Sequence, residues 1–151
     1  RTGLAGALLR LPRMRREEEE IRKWAGEALD FCGLGGLKGR QASELPYGAL
    51  KRLEIARALA ARPRLLLMDE PAAGLNDTET LEMRGLIGRI RDRGITILLV
   101  EHNMGLVMQV SDRILVLDYG SRLAEGTPAE VRANPQVVAA YLGGEVHYAV
   151  E

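Results

Sequence analysis

The chain has 151 residues, with 21 Lys+Arg against 21 Asp+Glu, 46% hydrophobic residues and 4% aromatics. That length suits one domain, and the composition excludes wholesale disorder. A net charge of zero argues against a nucleic-acid binder working through a broad basic field. Aliphatic stretches such as 65–68 and 97–100 fall far short of the roughly 20 residues that cross a bilayer. Cys32 has no second cysteine to pair with. The chain opens on Arg1 without an initiator Met or a signal-peptide pattern, so it is expected to be a piece of something longer.

Helical spacing of Ile21, Trp24, Ala25 and Ala28 predicts a helix over 15–30 with one apolar stripe. Glu18 and Glu19 precede Arg22 and Lys23 by four residues, an ion-pair arrangement for a solvated face. Gly33, Gly35 and Gly36 end that helix and open a loop. Residues 49–61 are rich in Ala, Leu and Arg and predict a second helix, ended by Pro63. The apolar run 65–68 predicts a buried parallel strand. A helix over 78–93 presents Met83, Leu86, Ile87 and Ile90 on one side, with acids early, arginines late and Gly94 as its stop.

A second buried strand is predicted over 95–100, a short helix over 104–110 and a third strand over 113–117. Asp118-Tyr119-Gly120-Ser121 reads as a hairpin turn into 122–125. Thr127, Pro128 and Glu130 form a capping box with proline at the first helical position. Asn134 and Pro135 repeat the cap before a final helix over 136–142. This alternation implies an α/β fold with a parallel sheet and right-handed crossovers.

Three features carry chemistry. In Leu65-Leu66-Leu67-Met68-Asp69-Glu70-Pro71 an apolar strand ends in two carboxylates, at the sheet edge where open α/β folds bind ligands. Asp69 suits a hard oxygen ligand for Mg²⁺, and Glu70 suits a base or orienter for water attacking a phosphoryl group. His102 follows the next strand, directly after Glu101, so parallel pairing would bring it to the same edge as Glu70. There it can donate to a developing phosphate charge. Leu45-Pro46-Tyr47-Gly48 stands ahead of the 49–61 helix, and a glycine at a helix start admits an anion to backbone N–H groups. His147 lies in a polar tail without such company and reads as incidental.

Taken in order, these elements resemble the second half of an ATP-binding cassette (ABC) ATPase, over nearly the whole chain. Leu45-Pro46-Tyr47-Gly48 stands at the signature motif, Leu65 to Glu70 at the Walker B strand, Ala73-Gly74-Leu75-Asn76 at the D-loop and His102 at the switch histidine. Asp69-Glu70-Pro71-Ala72-Ala73-Gly74-Leu75-Asn76, Val100-Glu101-His102-Asn103-Met104, Gly126-Thr127-Pro128-Ala129-Glu130 and Ala140-Tyr141-Leu142-Gly143 look like the ATP-binding subunit of bacterial branched-chain amino acid importers. The resemblance implies the C-terminal part of a P-loop NTPase domain: a permease-facing helical subdomain over 1–44, the core over 45–143 and a tail over 144–151. It implies ATP and Mg²⁺ as cofactors, Asp69 holding the metal, Glu70 activating water and His102 contacting the γ-phosphate. Pro46, Tyr47 and Gly48 would face ATP held by a partner subunit, and Asn76 would lie at the dimer interface. Implied partners are a second ABC ATPase subunit, two transmembrane permeases and, indirectly, a periplasmic binding protein, with no nucleic acid. The implied location is peripheral, on the cytoplasmic face of the inner membrane.

The chain departs from that pattern in places. No G-x-x-x-x-G-K-[ST] occurs in it, and Gly33-Leu34-Gly35-Gly36-Leu37-Lys38-Gly39 lacks the spacing and the Lys-Ser/Thr end. The family's upstream strands, adenine-stacking aromatic and glutamine loop are also missing, so these residues alone are not expected to turn over ATP. Pro46 replaces the signature serine, removing a hydroxyl and a backbone N–H together. Ala49 and Leu50 stand for the usual glutamine and polar residue, and Asn76 for a common aspartate. Two other readings stay open: a non-catalytic module docking on a permease or completing a partner's site, and a non-transport ABC ATPase. Neutral charge and the lack of long coiled-coil insertions speak against the last.

Overall fold

The computed structural model describes residues 12–142. The predicted tail over 144–151, His147 and residues 1–11 of the predicted helical subdomain lie outside them. Helix α1 (Pro12–Phe31) is followed by two single 3₁₀ turns (Gly35–Leu37 and Ala42–Glu44), then α2 (Tyr47–Ala60), β1 (Leu65–Asp69), α3 (Asp77–Asp92) and β2 (Thr96–Val100). Next come α4 (Met104–Val110), β3 (Ile114–Asp118), β4 (Ser121–Gly126), α5 (Pro128–Ala133) and α6 (Pro135–Val137). No described helix is long and apolar enough to cross a membrane.

Local chemistry sets the helix ends. α1 stops in a Schellman arrangement: Gly33 takes φ 73°, and the Gly33 and Leu34 amides donate to the carbonyls of Asp30 and Leu29. α2 stops earlier than Pro63 requires, because Arg62 turns left-handed at φ 51°. α3 begins at Asp77, one residue before the prediction. Asn76 caps it with a reciprocal box to Glu79 (2.9 and 3.1 Å). The final predicted helix over 136–142 is only partly α: α6 widens into a π-helical turn (Val138–Leu142), and Tyr141 Oη donates to the Leu117 carbonyl (2.6 Å).

β1 and β2 pair in parallel, Leu65 opposite Thr96 and Asp69 opposite Val100, with α3 as the crossover between them. Leu66 and Met68 point into the main core, where they join Ile55 and Leu59 of α2 and Met83, Leu86 and Ile90 of α3. Ala28 of α1, with Cys32 and Leu34 in the turn that follows it, closes the same core. Each such leucine or isoleucine contributes on the order of 1.5–3 kcal/mol through burial. The α1 stripe is narrower than predicted, since Ile21 is 61% exposed. α1 is held instead by its C-terminal half and by guanidinium–ring stacking of Arg62 on Trp24 (4.3 Å) and Arg93 on Phe31 (3.5 Å). Burial pushes the Cys32 thiol up to about 11, against the opposing charges of Arg89, Arg52 and Arg93.

Two expectations need correction. The strand over 65–68 is buried on one face only: Leu65 and Leu67 are 53% and 65% exposed, beside Leu98 and Val100 at 58% and 57%. The helices cover the other face, and nothing among the described residues covers this one. The third strand also does not join the parallel pair. β3 forms a separate two-stranded antiparallel sheet with β4, because Tyr119 and Gly120 (φ 46° and 78°) make the two-residue turn that folds a chain straight back. A smaller core of Val107, Ile114, Val116, Val131 and Val137 packs beneath that hairpin. Arg113 and Arg122 flank Glu125 at 2.8 and 3.1 Å. The hydrogen bond from Arg113, ahead of its charge, holds that carboxyl below its usual range.

Candidate functional site

The predicted acidic residues gather where β1 and β2 end together. The Glu70 amide donates to the Val100 carbonyl (2.9 Å), extending the ladder by one rung. The chain then turns sharply, with Glu70 at φ 45° and the Ala73 amide closing onto the Glu70 carbonyl (3.1 Å). A left-handed non-glycine residue costs on the order of 1–3 kcal/mol and persists only where its surroundings over-determine it. The turn takes Glu70 out of the strand's alternation, and Glu70 Oε1 lies 3.2 Å from His102 Nδ1. Asp69 keeps the alternation and stays on the uncovered face with Leu65 and Leu67. The two neighbouring acids therefore serve different directions.

Helix α2 abuts the same loop from the other side. Tyr47 Oη donates to the Ala73 carbonyl (3.2 Å), and Lys51 Nζ donates to the Glu70 carbonyl (3.4 Å) while lying 5.8 Å from the Tyr47 ring centre. Gly74, at φ 76°, leaves a gap that the Tyr47 ring occupies, since a Cβ there would sit 3.0 Å from Tyr47 Cε1. Gly48 is buried, and a Cβ on it would collide with the Glu79 carboxylate. A side chain at that position would therefore displace the Glu79 carboxylate from its contact with the Asn76 amide. Pro46 stands at the N-cap of α2 and supplies no side-chain cap, so the first-turn amides of α2 receive no capping side chain.

Asp69, Glu70, His102, Tyr47 and Lys51 thus share the rim formed by β1, β2 and the start of α2. Asn76 sits at the far end of the loop from Glu70, engaged as a helix cap through Oδ1. Arg52 and Glu82, ion-paired at 2.6 Å, strap α2 to α3 behind the rim. The Arg52 Nε is buried without a partner. Among the described residues no group of three or more His, Cys, Asp or Glu side chains is placed to hold a metal. Mg²⁺ typically keeps several waters and binds through one or two carboxylates plus substrate phosphates. The single exposed carboxylate of Asp69 fits that mode, as a ligand to a metal arriving with nucleotide.

Sequence reasoning passed over two residues. Glu79 was read as a dipole-favoured acid of α3, yet it also completes the Asn76 cap and fills the space above Gly48. The Asn76-x-x-Glu79 spacing is a capping-box signature and was available. Glu101 was read only as the neighbour of His102. Its carboxylate accepts the amides of Ala72 (2.9 Å), His102 (3.2 Å) and Asn103 (3.3 Å), and no spacing rule announces such a role.

Comparison with known proteins places these features in a family. A family model described as "ABC transporter" matches residues 7–73, and one described as "Branched-chain amino acid ATP-binding cassette transporter" matches residues 121–147. The high-affinity branched-chain amino acid transport ATP-binding protein LivG of Salmonella typhimurium is 50% identical over 144 residues, which is 95% of this chain and 56% of that protein. BraF of Pseudomonas aeruginosa, of the same description, is 46% identical over 143 residues, 94% of this chain and 56% of that protein. The chain therefore spans little more than half the length of these relatives. The crystal structure of an ATP-binding cassette of an ABC transporter in its ADP conformation superposes with a TM-score of 0.75 at 34% identity, covering 82% of this chain and 50% of that one. A nucleotide-free cassette superposes equally well, with a TM-score of 0.75 at 30% identity, over 93% of this chain and 56% of that one.

Proposed function

The chain belongs to the ABC transporter ATP-binding family, and from that premise we propose that it supplies the water-activating part of an ATPase site in a bacterial importer of branched-chain amino acids. The observation that carries this reading is the Glu70–His102 pair, 3.2 Å apart at the carboxyl ends of two adjacent parallel strands. Glu70, fixed by its turn and by the Lys51 contact to its carbonyl, orients and deprotonates the attacking water. His102 donates toward the γ-phosphate, where charge develops as the bond to the leaving group breaks. Asp69 would hold Mg²⁺ together with the nucleotide, and the metal would neutralise charge on the phosphates.

In this reading the phosphate-cradling loop belongs to a part of the cassette outside this sequence. The start of α2, with Pro46, Tyr47 and Gly48, faces ATP held by a second ATPase subunit, and Asn76 lies at that dimer interface. Residues 1–44 contribute to the helical subdomain that meets a transmembrane permease, residues 45–143 to the core and 144–151 to a tail. The subunit works peripherally at the cytoplasmic face, on substrate delivered through a periplasmic binding protein.

The test uses a complete cassette containing these residues. Glu70→Gln keeps the shape of the side chain and removes the base, so multiple turnover is expected to fall by about 10²–10⁴-fold while ATP still binds. Retained turnover would end the role assigned to Glu70.

A further inference from the structure

The carboxylate of Glu101 sits between the two loops that carry Glu70 and His102. Oε1 accepts the amide of Ala72, two residues beyond Glu70, at 2.9 Å. Oε2 accepts the amides of His102 and Asn103 at 3.2 and 3.3 Å. One half-buried side chain thereby takes up three backbone donors from loops that leave different strands, and Ala72 itself is buried. The buried Ala72 amide requires a partner, and among the described residues this carboxylate is the partner of all three amides, those of the exposed His102 and Asn103 included.

We propose that Glu101 is a positioning residue that keeps the Glu70 turn and the His102 loop in a fixed relation. The proposal deepens the ATPase reading and rests on it for its functional meaning. The Glu70 and His102 side chains are both largely exposed, at 51% and 70%, so packing does not set their separation. Backbone placement does. Asn103 is also the N-cap of α4, accepting the Leu106 amide at 3.0 Å, so the same carboxylate seats the start of α4 beside the site. A carboxylate serves all three amides at once, because both of its oxygens accept. A glutamine of the same shape turns one of them into a donor facing N–H groups.

Two readouts test this separately from ATP turnover by the wild type. In the chain itself, Glu101→Gln is expected to speed deuterium exchange about tenfold or more at the Ala72 amide or at the His102 and Asn103 amides, the worth of a charge-assisted hydrogen bond. Exchange at Leu86 and Ile90 should stay unchanged and reports that the core is intact. The ¹⁵N resonance of His102 Nδ1 should move as its contact with Glu70 loosens. Glu101→Asp, which keeps the charge but shortens the reach, should unprotect Ala72 and the two later amides unequally. In a complete cassette, Glu101→Gln should lower kcat by up to about 10²-fold with KM for ATP nearly constant, as expected of a misplaced catalytic group. Unchanged exchange at all three amides in both variants overturns the clamp. Changed exchange with unchanged kcat overturns its positioning role. A wild-type cassette that fails to hydrolyse ATP, with the amides responding as expected, overturns the ATPase reading and leaves the clamp standing.

Discussion

The two faces of the β1–β2 pair carry the same kind of side chain and have different fates. Leu66 and Met68 are sealed beneath α2 and α3, whereas Leu65 and Leu67, their immediate neighbours, are more than half exposed together with Leu98 and Val100. Strand alternation alone separates them. A surface strand normally alternates apolar with polar residues, and a strand covered on both faces reads as a continuous apolar run. These strands are written for two covers, and the described residues supply one. The uncovered face is also the face of Asp69, so the apolar patch and the proposed metal ligand share one open side of the pair.

The sharpest way to break this comparison is a pair of leucine truncations one residue apart. Leu66→Ala removes a side chain from the closed core and is expected to cost about 2–5 kcal/mol in chemical denaturation. Leu67→Ala in the same chain should cost within about 0.5 kcal/mol, as for an open surface position. In a complete cassette the second value should rise toward the first. If Leu67→Ala stays neutral there, the open face is not an interior surface of the larger domain.

A smaller effect is expected from weakening the cover of the closed face without touching it. Asn76→Ala deletes the cap of α3 and should cost about 1 kcal/mol, read in the same denaturation. Replacing Pro46 acts at the rim instead. Pro46→Ser gives α2 the capping hydroxyl it lacks and should stabilise the chain by about 0.5–1 kcal/mol. In a complete cassette an ATPase rate that falls or stays level after this change shows that a hydroxyl is not what the site lacks.

The smallest expected effect lies outside both faces, in the β3–β4 hairpin. Glu125 is held below its ordinary value of 4.5 by its hydrogen bond from Arg113. Its contribution is therefore present above that ordinary value and disappears as pH falls through the lowered one. Thermal melts of wild type and Glu125→Gln should diverge slightly above pH 4.5 and converge in stronger acid. Because the pairs are exposed at the surface, a large divergence would mean they matter more than exposed pairs do.

The comparison also explains which parts of the structure were legible beforehand. The α3 stripe of Met83, Leu86, Ile87 and Ile90 was readable because helical period separates faces, and all four are buried. In Leu65-Leu66-Leu67-Met68 every position is apolar, so no pattern distinguished the closed face from the open one. Pairing was readable in part: Asp118-Tyr119-Gly120-Ser121 announces the hairpin to 122–125, but not that β3 leaves the parallel pair. Val116 and its neighbours show that a strand forms, but the Tyr119-Gly120 turn decided where β3 pairs. Carboxylates following strands marked a candidate site, and parallel pairing did bring Glu70 to His102. The Glu101 contacts were not, because a side chain that accepts backbone amides has no spacing of its own.

Cys32 offers a last consequence. Its thiol is closed inside the seam where the end of α1 meets the sheet helices, and burial keeps it protonated up to about pH 11. At neutral pH it has almost no thiolate with which to react, so a thiol reagent can label it only in molecules whose seam has parted. The labelling rate is then a stopwatch for α1 lifting from the rest of the protein. It can be read without any introduced probe.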